Sequence, residues 1–140
     1  MNRRIFLSTA VAGAASLILP VRAARAAAGF VDYTPGLIQR ELAAGKTVFV
    51  DYAADWCGTC KTQERVIQAL WAENPAYADA MTFVRVDWDD FRRHEVTTSR
   101  GIPRRSTLLV LRGDEELGRL VAATSKSQIQ GLMDLGVAAS

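Results

Sequence analysis

The chain has 140 residues, 49% of them hydrophobic and 23% charged, with two cysteines and a formal net charge of +2. This is globular composition with room for one domain. The basic excess lies in the first 26 residues, which hold four arginines and no acids. The remainder carries 13 basic and 15 acidic residues, a formal charge of −2, which excludes the strongly basic footprint of a nucleic-acid-binding domain.

Arg3 and Arg4 precede an uncharged stretch from Ile5 to Val21, and Ala24-x-Ala26 then offers small residues to a signal peptidase. A basic start, an apolar middle and a small-residue exit read as an export signal. The middle is shorter and poorer in Leu and Ile than the ~20 apolar residues of a membrane span. The head Asn2-Arg3-Arg4-Ile5-Phe6-Leu7-Ser8 resembles the twin-arginine signal: the arginine pair, Phe6 and Leu7 match, while Asn2 and Ser8 depart. The general secretory route remains open, because two arginines before an apolar core serve it too. The expected organisation is a signal peptide over 1–26, cleaved near Ala26, and a mature domain over 27–140 in the periplasm.

Pro35 to Ala44 carries Leu37, Ile38 and Leu42 at helical spacing, with Pro35 near the start and Gly45 just past the end,. Thr47 to Ala53 is a nearly continuous apolar run, as expected of a strand buried on both faces, and Asp51 is its lone acid,. Cys57 to Glu73 reads as a helix with the stripe Val66, Ile67, Leu70 and Trp71, stopped by Asn74-Pro75,. Thr82 to Asp87 is a second strand, followed by a polar helical stretch from Asp89 to Ser99. Thr107–Leu111 and Glu116–Val121 flank Arg112-Gly113-Asp114-Glu115 and predict a hairpin,. Ser127 to Leu135, with Ile129, Leu132 and Met133 on one side, predicts a closing helix. The expected fold class is α/β, a central mixed sheet of about four strands with helices on both faces.

Both cysteines fall in Trp56-Cys57-Gly58-Thr59-Cys60. A metal clip, a structural staple, a redox couple and accident are the competing explanations. A closed zinc site wants four Cys or His ligands, and the chain supplies two Cys and His94,. A staple between residues three apart closes almost no loop, so it contributes little stability. A redox couple accounts for the placement. A cysteine at a helix N-terminus has its thiolate favoured by free backbone N–H groups and the helix dipole. Cys60, one turn further in, is close enough to attack a mixed disulfide formed by Cys57. Gly58 leaves room for a partner's backbone, and Trp56 walls one side of the exposed sulfur. His94 reads as an exposed helix residue.

The run Asp51-Tyr52-Ala53-Ala54-Asp55-Trp56-Cys57-Gly58-Thr59-Cys60-Lys61 resembles the active-site strand, turn and helix of the thioredoxin family. Gly101-Ile102-Pro103 is similar to the family's Ile–cis-Pro element, and the order of elements from about residue 30 to 136 agrees. The resemblance implies a thioredoxin fold. It makes Cys57 the nucleophile, Cys60 the resolving thiol and Asp51 the buried acid that assists proton transfer at the second sulfur. An acid inside an apolar strand is costly to ionise, so its pKa should rise toward neutrality. Trp56, Gly58, Thr59, Ile102 and Pro103 would meet the substrate, with a cis bond at Pro103. The chain departs from the family in three ways. Thr59 stands where Pro is common, Ala53 stands where a second Trp is frequent, and Arg104-Arg105-Ser106 is inserted before the strand at Thr107. Asp55-Trp56-Cys57 and Cys60-Lys61 are also similar to the periplasmic thioredoxin-like domain of the transmembrane thiol:disulfide interchange protein.

The function this implies is an exported thiol:disulfide oxidoreductase that reduces protein disulfides as a monomer, without a cofactor, recharged by a membrane electron donor. Alternatives are a dedicated module delivering electrons to a cytochrome or copper-site assembly factor, and a non-catalytic binding protein of the same fold. Arg92, Arg93, Arg100, Arg104 and Arg105 gather around Pro103. They form either a solvated face or a basic rim selecting acidic partners.

Overall fold

A computed structural model describes residues 29–140, so the expected signal peptide lies outside the described residues. The elements are β1 (Val31–Asp32), α1 (Leu37–Ala43), β2 (Thr47–Ala53), α2 (Gly58–Glu73), α3 (Ala76–Ala80), β3 (Met81–Asp87), α4 (Trp88–Phe91), α5 (Glu95–Thr98), β4 (Thr107–Arg112), β5 (Glu115–Val121) and α6 (Lys126–Ala139). The expected strands and long helices form. The polar stretch after β3 forms two short helices, α4 and α5, rather than one.

The sheet has five strands in the order β1-β3-β2-β4-β5, one more than the four expected. The fifth is the two-residue β1, parallel to β3 at the sheet edge, too short to leave a hydrophobic pattern. β2 runs parallel to β3 and antiparallel to β4. The hairpin of β4 and β5 turns through Gly113, whose φ of 56° lies in the region glycine adopts without strain,.

All seven residues of β2 are buried, which is why its run is apolar instead of alternating,. Alternation along the strand still divides the core between two layers. Phe49 packs with Ile67, Leu70 and Trp71 of α2 and with Ile129, Leu132 and Met133 of α6. Val48, Val50 and Tyr52 face the other way, against Ile38 of α1, Val96 of α5 and Ile102. Tyr52 also donates its hydroxyl to the carbonyl of Val96 at 2.5 Å, so the short α5 is tied to the central strand. Asp51 shares the parity of Phe49 and Ala53, which puts it on the face covered by α2.

Candidate active site

The site lies beyond the carboxyl ends of the parallel strands β2 and β3, the end where open α/β sheets bind ligands. A hollow of about 410 Å³, lined by Lys46, Thr47, Met81 and Arg112 among others, lies at the opposite end of these strands and has no part in the chemistry. β2 ends at Ala53, and Ala53 and Ala54 pack with Cys57 and Cys60 beneath the half-buried ring of Trp88.

Cys57 is the N-cap of the 16-residue α2, and its Sγ accepts the Cys60 backbone N–H at 3.1 Å. A sulfur therefore takes the place that Ser or Asp oxygen holds in most helix caps, satisfying a free N–H. Cys57 and Cys60 are joined in a disulfide, with their Cα atoms 5.3 Å apart. Both sulfurs are nearly covered, since Cys57 is 3% exposed and Cys60 1%. The expectation of an exposed first sulfur holds only for the surface around it. Trp56 is 57% exposed, and a Cβ built on the exposed Gly58 meets nothing within 4 Å. Thr59 sits half-buried in the first turn of α2.

Asp51 is fully buried, and neither of its carboxyl oxygens has a hydrogen-bond partner among the described residues. Burial pushes its pKa up to about 8; the Glu64 carboxylate adds to the rise and the Arg85 guanidinium opposes it. Arg85 does not neutralise Asp51. It lies beside Asp51 across the β2–β3 ladder but spends its hydrogen bonds on Glu64 at 3.3 Å and Asp55 at 3.0 Å. An orphaned buried carboxyl in a sealed apolar layer is costly unless it is protonated.

The element around Pro103 differs from expectation. No cis peptide bond occurs among the described residues, so the bond before Pro103 is trans. Ile102 is buried in the layer against α5, and Pro103 is exposed. The residue whose side chain lies against the disulfide is Ser106, three positions later: its Oγ is 3.2 Å from Cys57 Sγ and 3.1 Å from Cys60 Sγ. The physical reason is that Arg104, Arg105 and Ser106 separate Pro103 from the start of β4 at Thr107. Ser106 makes the tight entry into that strand with a φ of 64°. A cis bond before a residue other than proline would cost about 3 kcal/mol or more, whereas a left-handed residue costs roughly 1–2 kcal/mol.

Two polar residues at the site carried no recognisable sequence signal of their own. Gln63 is fully buried and donates from Nε2 to the carbonyls of Ser106 at 3.0 Å and Ala123 at 2.9 Å. Its one trace was position: it is the polar member of the buried stripe Gln63, Ile67, Leu70 and Trp71. Ser106 stood only as the last residue of an apparent insertion. His94 is half-buried, not exposed. It caps α5 by accepting the Val96 N–H at Nδ1, and its ring meets Tyr33 and Phe91.

Of the five arginines expected near Pro103, Arg105 reaches the site, with its guanidinium over the Trp56 ring. Arg92 and Arg93 are exposed after α4, and the Arg100 carbonyl accepts from Arg119.

A helix-capping cysteine bonded to a second cysteine one turn on, above a buried acid on the central strand, defines a dithiol–disulfide exchange protein. The thioredoxin family model matches residues 33–134, and the chain belongs to the thioredoxin family. It is similar to the thioredoxin of Allochromatium vinosum, 36% identical over 62% of this chain and 77% of that one. It is also similar to the thioredoxin of Alicyclobacillus acidocaldarius, 30% identical over 69% of this chain and 88% of that one. Among solved structures, Trxlp from Edwardsiella tarda superposes with a TM-score of 0.61 at 31% identity, covering 72% of this chain and 96% of that one. The protein is a thiol:disulfide oxidoreductase of thioredoxin fold.

Proposed function

We propose that the protein is exported and reduces disulfides of other proteins, with Cys57 as nucleophile, Cys60 as resolving thiol and Asp51 as proton acceptor. The observation that carries the reading is the N-cap position of Cys57, whose Sγ already accepts a helix N–H at 3.1 Å. That donor and the dipole of α2 stabilise negative charge on this sulfur.

In the reduced protein the Cys57 thiolate attacks one sulfur of a substrate disulfide. A Cys57–substrate disulfide forms, and the other substrate sulfur leaves as a thiolate and takes a proton from solvent. Cys60 then gives its proton to Asp51, directly or through water, and attacks Cys57 Sγ. The Cys57–Cys60 disulfide forms and the second substrate thiolate departs. Two electrons pass from the dithiol to the substrate. Asp51, with a pKa of about 8, has its titration close to the pH at which it must exchange that proton.

Export rests on the basic, apolar and small-residue pattern of residues 1–26,. A reductant outside the cytoplasm must be recharged, and no helix among the described residues is long and apolar enough to cross a membrane. A separate membrane-bound electron donor, like the transmembrane interchange protein whose soluble domain Asp55-Trp56-Cys57 and Cys60-Lys61 resemble, fits that need.

Trapping tests the assignment. In Cys60→Ser the mixed disulfide has no resolving thiol, so substrate proteins stay covalently attached to Cys57 and are released by a small reductant. In Cys57→Ser nothing is trapped. Equal trapping by both variants overturns the roles.

A further inference from the structure

We propose that Ser106 is a catalytic residue of the exchange reaction: once the disulfide opens, its hydroxyl donates a hydrogen bond to the Cys57 thiolate and accepts the S–H of Cys60. This rests on the reading of Cys57 as the nucleophile and adds a group that the Cys-x-x-Cys pattern does not contain.

The position is built rather than incidental. Ser106 is fully buried. Its N–H donates to the Tyr52 carbonyl at 2.7 Å, and its own carbonyl accepts the Ala122 N–H at 2.8 Å and the Gln63 side chain at 3.0 Å. Three hydrogen bonds from β2, α2 and the residue just after β5 thus hold a non-glycine residue at a φ of 64°. A strained backbone at a reactive centre points to a task for its side chain. The side chain here is a hydroxyl 3.2 Å from one sulfur and 3.1 Å from the other.

A hydroxyl has one proton to give and two lone pairs to receive. Disulfide sulfurs are weak acceptors, so in the oxidised protein the contact contributes little. On reduction Cys57 Sγ becomes an anion while Cys60 keeps its proton. The Ser106 proton then points at the anion, and a lone pair takes the Cys60 S–H. Hydrogen bonds to charged groups are roughly twice as strong as neutral ones, so the hydroxyl favours the dithiol form with its charge on Cys57. When Cys57 is consumed in the mixed disulfide, that anion is gone. Ser106 then remains beside Cys60, able to donate to the thiolate that forms there.

Other ionisable groups surround the pair. Asp51 lies on β2, Glu64 and Lys61 on α2, Arg85 on β3 and Asp55 on the preceding turn; Asp89 and Arg105 meet Trp56. None changes when Ser106 alone is substituted, so the comparison isolates the hydroxyl.

Two variants separate the hydroxyl from the backbone. Ser106→Ala removes the hydroxyl and keeps the strain, whereas Ser106→Gly removes both. Thiolate absorbance and site-mapped alkylation of Cys57 are followed against pH in the reduced full chain. The expected result is a rise of about one unit in the Cys57 pKa in both variants, equivalent to about tenfold less thiolate below it. Equilibrium with glutathione shifts toward the disulfide in both. An unchanged pKa in either variant, or a rise in Ser106→Ala that Ser106→Gly does not share, overturns the role of the hydroxyl. Cys60 titrating below Cys57 in the parent protein would instead overturn the nucleophile assignment, and this proposal with it.

Discussion

The guanidinium carbon of Arg105 lies 4.3 Å from the centre of the Trp56 ring. The opposite constraint comes from Asp89, which accepts the Trp56 indole N–H at 2.9 Å. The ring is thus held by a cation on its face and a carboxylate at its edge, although 57% of the residue remains exposed. A ring held in this way would cost a docking partner less ordering entropy than a mobile one. Arg105 adds positive charge at its margin.

Reversing that charge separates protein substrates from small ones. Arg104→Glu with Arg105→Glu should slow exchange with a protein disulfide several-fold, by way of the association rate, and leave exchange with a small uncharged disulfide nearly unchanged. The difference should shrink as salt rises, since a Debye length of about 8 Å at physiological ionic strength screens rim charges. Equal losses on both substrates, or no dependence on salt, would return these arginines to a solvated face. The assay is stopped-flow exchange at two salt concentrations.

Asp51 links activity to stability through pH. Its folded pKa of about 8 lies above its ordinary 3.8, so the folded protein holds the proton more tightly than the unfolded chain does. Below the ordinary value both states are protonated and burial of the carboxyl costs no ionisation. As pH rises through the window from 3.8 to about 8, the unfolded state gains from ionising and the folded state does not. Stability then falls by roughly 1.4 kcal/mol per pH unit from this group alone.

Asp51→Asn should remove that slope, leaving the variant more stable than the parent at pH 8 and close to it at pH 4. The same substitution should slow the second step of exchange near neutral pH, because the proton acceptor is lost. Denaturant titrations at several pH values check the first outcome, and exchange rates between pH 6 and 9 check the second. Exchange at the parent rate across that range would end the assignment of Asp51 as the acceptor.

The direction of electron flow is readable from a redox equilibrium. No basic residue lies between Cys57 and Cys60, only Gly58 and Thr59, so the Cys57 thiolate gains no charge partner from within the motif. The helix N-terminus and Ser106 are its stabilisers. A less stabilised thiolate means a disulfide that is harder to reduce and a stronger donor dithiol. Equilibration with glutathione buffers should give a potential more reducing than about −200 mV, on the thioredoxin side of the range rather than near the about −120 mV of a dedicated oxidant. A value near the oxidant would make the protein an oxidase or isomerase.

Local pattern alone accounts for several parts of this protein. The apolar run of β2, the stripe of α2 and the hairpin around Gly113 are set by neighbours a few residues apart, and each formed where its pattern placed it. Cys57, Cys60 and Asp51 were legible for the same reason, since all three lie within ten residues of one another on a strand, turn and helix. What depends on residues far apart in the chain came only with the fold. Ser106 meets Cys57 and Cys60 across 49 and 46 positions, and Gln63 reaches Ser106 across 43; no periodicity records such meetings. The expectation of a cis bond at Pro103 came from Gly101-Ile102-Pro103 as a local string. The place beside the sulfurs was allotted by the register of β4 on β2, which pairs Thr107 with Tyr52 and leaves the residue before it, Ser106, above the disulfide. Register is fixed by the whole sheet, because a slip of one residue would turn every buried side chain of β4 to the wrong face.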